Sequence, residues 1–104
     1  MSDTNKESCY AARMAVDFTE SAAKHGFTQA DAVNAMLNHV EKVDDFDEPR
    51  MPGHARPDLY IGPSLKRVQL EVMVERIPPA DLSIFHCMEA RRKILDLIEE
   101  LRDK

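Results

Sequence analysis

The chain has 104 residues and a net charge of −5, with 43% hydrophobic and 32% charged residues. This balance is typical of a globular domain and excludes a disordered or fibrous chain. No stretch approaches the ~18 apolar residues of a membrane span, and the polar N-terminus lacks a signal peptide's apolar run. Two cysteines, Cys9 and Cys87, provide neither a disulfide framework nor a zinc site. We therefore expect one cytoplasmic domain over residues 1–104, without membrane association or cofactor.

The N-terminal quarter leaves two interpretations open. Thr4 followed by Glu7 is a candidate capping box, in which case a helix begins there and residues 1–13 are partly helical. Otherwise that segment is flexible, and a short extended piece over residues 14–18 leads into the first helix. We expect this helix over residues 19–25, ended by the glycine that follows it.

A second helix is predicted to begin at Thr28, whose hydroxyl can cap it, with the Asp31 carboxylate available to the first turn. Four apolar residues then recur at helical spacing and form the predicted buried stripe: Val33, Met36, Leu37 and Val40.

Residues 44–57 contain three prolines and a glycine, which predicts a long exposed loop, preceded by a short strand near residues 43–46. Three strands are then predicted, over residues 58–61 (ended by Gly62-Pro63), 70–75 and 82–88. Because no crossover helix separates these strands, they are expected to be antiparallel neighbours.

The chain ends in a predicted helix over residues 89–102. Leu95 lies outside its apolar stripe and is expected to be exposed. The order of elements predicts an α+β fold, in which two N-terminal helices and a C-terminal helix pack on a three- to four-stranded antiparallel sheet.

The segment around His86 is the most suggestive of chemistry. His86 lies near the end of the last strand, and Arg91, Arg92 and Lys93 follow in the first turns of the next helix. Cations there oppose the helix dipole, so an anionic ligand bound at the helix N-terminus would explain them. The alternative is a hydrogen-bonded core histidine that shares a face with Ile84, followed by cations that are simply solvated.

Two further sets of residues are candidates for a site. Lys66 and Arg67 lie between two strands, where they can contact phosphates or be solvated. Glu71 projects from the face opposite Leu70 and Val72 and can act as a general base if that face is open. No phosphate loop, glycine fingerprint or metalloprotease motif is present, and the spacing of the four histidines predicts no metal site.

Four segments occur in order: Lys24-His-Gly26, Leu59-Tyr-Ile-Gly-Pro63, Leu70-Glu-Val-Met-Val74 and Ile84-Phe-His-Cys-Met88, followed by Arg91 and Lys93. In this order and spacing, over about residues 17–100, the chain resembles the small toxins of bacterial type II toxin–antitoxin systems, akin to BrnT, RelE and ParE. The resemblance implies a RelE/BrnT-like α+β domain, metal-free cleavage of mRNA, free or on the ribosome, and a cognate antitoxin that neutralises the toxin.

Position by position, the resemblance singles out His25, Gly62, Pro63, Glu71, His86, Met88, Arg91 and Lys93. In such a ribonuclease the ribose 2′-hydroxyl attacks the neighbouring phosphate. His86 or Glu71 would remove its proton, and Arg91 would stabilise the developing charge. The residues expected to bind RNA are Lys66, Arg67, Lys93 and His25. A toxin or interaction module that inhibits a protein target through its surface, without catalysis, remains the alternative.

Overall fold

The computed structural model describes residues 15–102, and the predictions made for residues 1–14 lie outside this part. The expected α+β class is confirmed. In chain order the elements are β1 (Val16–Phe18), α1 (Glu20–Ala23), α2 (Gln29–Leu37), β2 (Glu41–Val43), β3 (Asp58–Pro63), β4 (Gln69–Ile77), β5 (Asp81–Glu89) and α3 (Arg92–Arg102).

The five strands form one mixed sheet in the order β1-β5-β4-β3-β2. β4 pairs antiparallel with β5 and with β3, as predicted, and β2 adds antiparallel to β3. β1 pairs parallel with β5, joining Val16 to Leu82 and Phe18 to Ile84. The prediction of a three- to four-stranded, wholly antiparallel sheet is therefore wrong. The extended segment before α1 can pair in parallel because the rest of the chain intervenes before β5.

Side-chain caps fix the starts of the first two helices. The Thr19 hydroxyl accepts a hydrogen bond from the Ala22 backbone N–H (3.1 Å), so the extended piece leads directly into α1. Thr28 and Asp31 form the full capping box: the Thr28 hydroxyl accepts from the Asp31 N–H, and the Asp31 carboxylate accepts from the Thr28 N–H. Gly26, with φ of +89°, ends the α1 segment in the left-handed conformation, as expected.

The helices cover opposite faces of the sheet. Alternate residues of β4 (Leu70, Val72 and Val74) pack in one apolar cluster with α1 and α2. Met73 points the other way and packs with β3 and with Ile94 and Ile98 of α3. The central strand is thus buried on both sides, which accounts for its unbroken buried run.

The stripe predicted for α2 is correct for Val33 and Met36, which pack against the first apolar cluster. It is wrong for Leu37 and Val40, which are 78% and 65% exposed. The helix instead buries Ala32 and Ala35. Small residues are needed because the backbone of β3 approaches closely: a Cβ placed on Gly62 would lie 2.1 Å from the Ala35 carbonyl oxygen.

Several element boundaries differ from the predictions. β3 continues through Gly62-Pro63, since these residues pair with Leu70 and Gln69 at the end of the ladder. β5 extends to Glu89, so α3 begins three residues later than expected. Leu95 is partly buried beside the second cluster rather than exposed. None of the helices within residues 15–102 is long and apolar enough to cross a bilayer.

Residues 44–57 contain no helix or strand, and two buried carboxylates hold this loop against the sheet. Asp58 accepts a hydrogen bond from the Asp45 backbone N–H (2.9 Å) and contacts Arg76. Glu75 contacts His54 Nδ1 through Oε2 (2.6 Å). The loop is therefore tied down by polar groups at two points.

We predict that Gly62→Ala lowers the free energy of unfolding by about 1–3 kcal/mol, because a methyl group cannot fit against the Ala35 carbonyl without moving α2. Thermal melting should shift down by roughly 5–20 °C. Since the clash is with backbone, adding Ala35→Gly should not restore stability. An unchanged melting temperature would contradict the close packing of α2 on β3.

Candidate functional site

The Glu71 carboxylate is the centre of a polar cluster on the α3 side of the sheet. Its side chain is 0% exposed. Oε2 lies 2.7 Å from His86 Nε2 and 2.7 Å from Arg91 Nη2. Oε1 accepts from the Arg91 backbone N–H (2.9 Å) and from Arg91 Nε (3.1 Å). The three residues predicted to be catalytic therefore lie together.

A β-bulge brings His86 to this cluster. Val74 pairs with Ile84 whereas Met73 pairs with His86, so Phe85 is the extra residue. Beyond the bulge, His86 faces the α3 side with Glu71, while Ile84 faces α1 and α2. The alternative is therefore right that His86 is hydrogen bonded, here to Glu71. It is wrong that His86 shares a face with Ile84, because strict alternation fails at the bulge.

The Glu71 carboxylate also caps the final helix. The Arg91 carbonyl accepts hydrogen bonds from the N–H groups of Ile94 and Leu95, which places Arg91 just before α3. The Arg91 N–H, which a helix leaves unsatisfied at this end, donates to Glu71. The expected anion at the helix N-terminus is thus a carboxylate of the protein itself, and no external ligand is needed to explain Arg91.

Glu71 is ionised at all ordinary pH values. Burial opposes ionisation, but the hydrogen bonds from His86 and Arg91 outweigh it and lower the Glu71 pKa from 4.5 to about 2. An ionised carboxylate can only accept hydrogen bonds, so His86 Nε2 carries a hydrogen. In the neutral ring the lone pair is then on Nδ1, and the imidazole is 22% exposed.

Three of the four residues predicted to bind RNA, His25, Lys66 and Arg67, lie at the same end of the sheet as His86. The His25 ring is 6.3 Å, centroid to centroid, from the His86 ring. Lys66 and Arg67 are exposed in the turn between β3 and β4. This turn lies beside the end of β5, because the Ala90 N–H donates to the Gln69 carbonyl (2.9 Å).

Lys93 lines a groove of about 640 Å³ between α3 and the 44–57 loop. Its lining combines apolar side chains with charges of both signs: Phe46, Asp47, Met73, Arg91, Lys93, Ile94, Asp96, Leu97 and Glu100. Three carboxylates face two cations here, so this groove is not a basic channel. Lys93 therefore lies beside Arg91 but in a different electrostatic setting from Lys66 and Arg67.

Sequence reasoning missed a second histidine–glutamate pair, His54 with Glu75, on the same face of β4. The Arg50 guanidinium lies 3.9 Å from Glu75 and stacks 4.3 Å from the centre of the Phe85 ring. The spacing of Glu71 and Glu75, four residues apart, predicts that they share a face of the strand. It does not identify His54 as a partner, because His54 lies 21 residues away in the loop.

Two other kinds of chemistry receive no support from the described residues. Burial raises the pKa of the Cys87 thiol to about 11, so it is a core residue rather than a nucleophile. Within residues 15–102, no three His, Cys, Asp or Glu side chains come together as a potential metal site.

Comparisons of the chain with protein-family models, with curated proteins and with solved structures each find no match.

We predict that Glu71→Gln destabilises the protein at pH 7 by up to about 3 kcal/mol, the equivalent of lowering a pKa from 4.5 to about 2. A depressed pKa stabilises the fold above pH 4.5, and this stability is lost as the pH falls toward 2. The difference between parent and variant should therefore shrink over that range in urea titrations at successive pH values.

The control for this measurement is Glu89→Gln, at an exposed position at the end of β5. It should change stability by less than about 0.5 kcal/mol. A difference between the parent and the Glu71→Gln variant that is independent of pH would contradict the ionised, hydrogen-bonded state of Glu71.

Proposed function

We propose that the protein is a cytoplasmic toxin of a toxin–antitoxin pair that cleaves RNA with its own side chains, without a metal ion. The observation that carries the proposal is the cluster of Glu71, His86 and Arg91. In it a buried carboxylate orients a partly exposed imidazole and a partly exposed guanidinium at one end of the sheet. The resemblance to small bacterial toxins supplies the class of substrate.

His86 is the proposed general base. With Nε2 held by Glu71, Nδ1 is the nitrogen that removes the proton from a ribose 2′-hydroxyl. The alkoxide attacks the adjacent phosphorus, and the bond to the 5′-oxygen breaks to leave a 2′,3′-cyclic phosphate. Glu71 has no exposed surface and a pKa of about 2, so we assign it the positioning of His86 rather than the role of base.

Arg91 is the proposed stabiliser of the charged intermediate. Its Nε and Nη2 groups donate to Glu71, which leaves the Nη1 donors for a phosphate oxygen. Lys66 and Arg67 lie at the same end of the molecule, where they can contact phosphates of neighbouring nucleotides. His25 and Lys93 complete the proposed RNA-binding set.

The second candidate is a toxin or interaction module that acts by binding a protein target. It is favoured by the net charge of −5 and by exposed apolar side chains on α3, Leu97 and Leu101. On this proposal Glu71, His86 and Arg91 only fasten α3 to the sheet, and the groove beside α3 is the contact surface.

We predict that the purified protein cleaves single-stranded RNA in EDTA and that His86→Ala slows cleavage at least about a hundredfold, because the general base is lost. His86→Gln should be as slow, although its amide can still donate to Glu71. Arg91→Ala should slow cleavage by a similar factor through lost charge stabilisation. The products should end in 2′,3′-cyclic phosphate.

The matched control is His54→Ala. It also removes a histidine from a buried glutamate on the same strand face, so its cost in stability should be comparable, whereas cleavage should be unchanged. Arg92→Ala, at an exposed position beside Arg91, should also cleave like the parent. Cleavage by folded His86→Gln at the parent rate would contradict the catalytic proposal and favour the protein-binding alternative.

We predict that the product of an adjacent antitoxin gene, when co-expressed, binds the protein and buries exposed apolar surface on α3. Leu97→Asp with Leu101→Asp should weaken the complex, because charge would replace buried apolar contact. Size-exclusion chromatography measures this association. Elution of the parent as a separate 11.8 kDa species at micromolar concentration would contradict it.

A further inference from the structure

We propose that His25 is a second proton-transfer residue, the general acid that protonates the leaving 5′-oxygen; this inference rests on the proposed ribonuclease function. The His25 and His86 rings lie 6.3 Å apart at an interplanar angle of 69°. They are near each other without being stacked or hydrogen bonded. At this separation, rings with hydrogen bonds of about 2.8 Å can reach different oxygens of one phosphate.

The fold brings these two histidines together from opposite faces of the sheet. β1 pairs only with the first part of β5, opposite residues 82–84, and leaves the edge of β5 beyond it without a neighbouring strand. The chain then passes through the short helix α1, which packs on β5, and reaches His25. His25 therefore lies beside the open edge at the level of His86, where a single strand of nucleic acid has access.

The two rings differ in how the protein holds them. His86 is fixed through Nε2 by an ionised carboxylate and is mostly buried. His25 is exposed, and the histidine hydrogen bonds within residues 15–102 belong to His39, His54 and His86. No described side chain thus competes with a substrate for the His25 ring. This asymmetry suits one oriented base and one ring that meets the leaving group.

His86 Nδ1 takes the 2′-hydroxyl proton as the 2′-oxygen–phosphorus bond forms. The phosphorus–5′-oxygen bond breaks, and protonated His25 gives its proton to the departing 5′-oxygen. The products are a 2′,3′-cyclic phosphate and a free 5′-hydroxyl. Water then exchanges protons with the two rings, so no other reactant is required.

The test uses an oligonucleotide containing the linkage that the parent protein cleaves, made once with the natural 5′-oxygen and once with sulfur in its place. A thiolate leaves without being protonated, so only the natural linkage needs a general acid. His25→Ala should slow cleavage of the natural linkage at least about a hundredfold. On the sulfur linkage the same variant should recover most of the lost rate. His86→Ala should be slow on both.

His39→Ala is the matched control, because His39 is an exposed histidine that follows α2, whereas His25 precedes it. This variant should cleave both substrates like the parent. Thermal melts check that each variant folds. If His25→Ala cleaves the natural linkage at the parent rate, or if its cleavage rate falls equally on both substrates, His25 is not the general acid and only the inference fails. If the parent cleaves no RNA, the proposed function fails and the inference fails with it.

Discussion

A single buried carboxylate, Glu71, joins three parts of the structure. It projects from the central strand β4, accepts from His86 of β5 and accepts from both the backbone and the side chain of Arg91 at the start of α3. An unpaired carboxylate in this place would be strongly unfavourable, because burial removes its hydration. The strand pairing, the bulge and the position of α3 must therefore all be correct before Glu71 can be buried.

The two faces of β4 are buried by different kinds of contact. Toward α1 and α2 the strand presents Leu70, Val72 and Val74, and alanines let the helices pack closely. Toward α3 and the 44–57 loop it presents Glu71 and Glu75, each held by a histidine and an arginine from another element. Apolar packing needs only complementary volume, whereas buried charges require particular partners at particular distances.

The Glu71 and Glu75 clusters are chemically alike but differ in their surroundings. His54 and Arg50 belong to the loop that they fasten, so Glu75 is explained by structure alone. His86 lies on a strand edge that β1 leaves open, with the exposed His25 ring beside it and the cations of the β3–β4 turn at the same end of the sheet. The proposed chemistry is therefore assigned to the Glu71 cluster.

Several features could be predicted from the sequence because they depend on neighbouring residues. The Thr28–Asp31 capping box follows from side chains three residues apart, and the pairing of β4 with β5 follows from a short proline turn between two strands. Glu71, His86 and Arg91 could be named as candidates from their chemistry. Their contact could not be derived from spacing alone, because the bulge at Phe85 changes which face His86 occupies.

The amino-acid sequence by itself determined the α+β class, the caps and the residue types available for a site. The tertiary structure decided the parallel pairing of β1, the buried face of α2 and the burial of Glu71. Each of these depends on contacts between residues far apart in the chain. Ala35 is buried while Leu37 is exposed, because Gly62 lets the backbone of β3 approach α2 closely at Ala35. The pattern of hydrophobic residues along α2 does not indicate where Gly62 will lie. Likewise, Glu71 is buried with Arg91 as its partner, and this residue lies twenty positions later in the chain, just before α3.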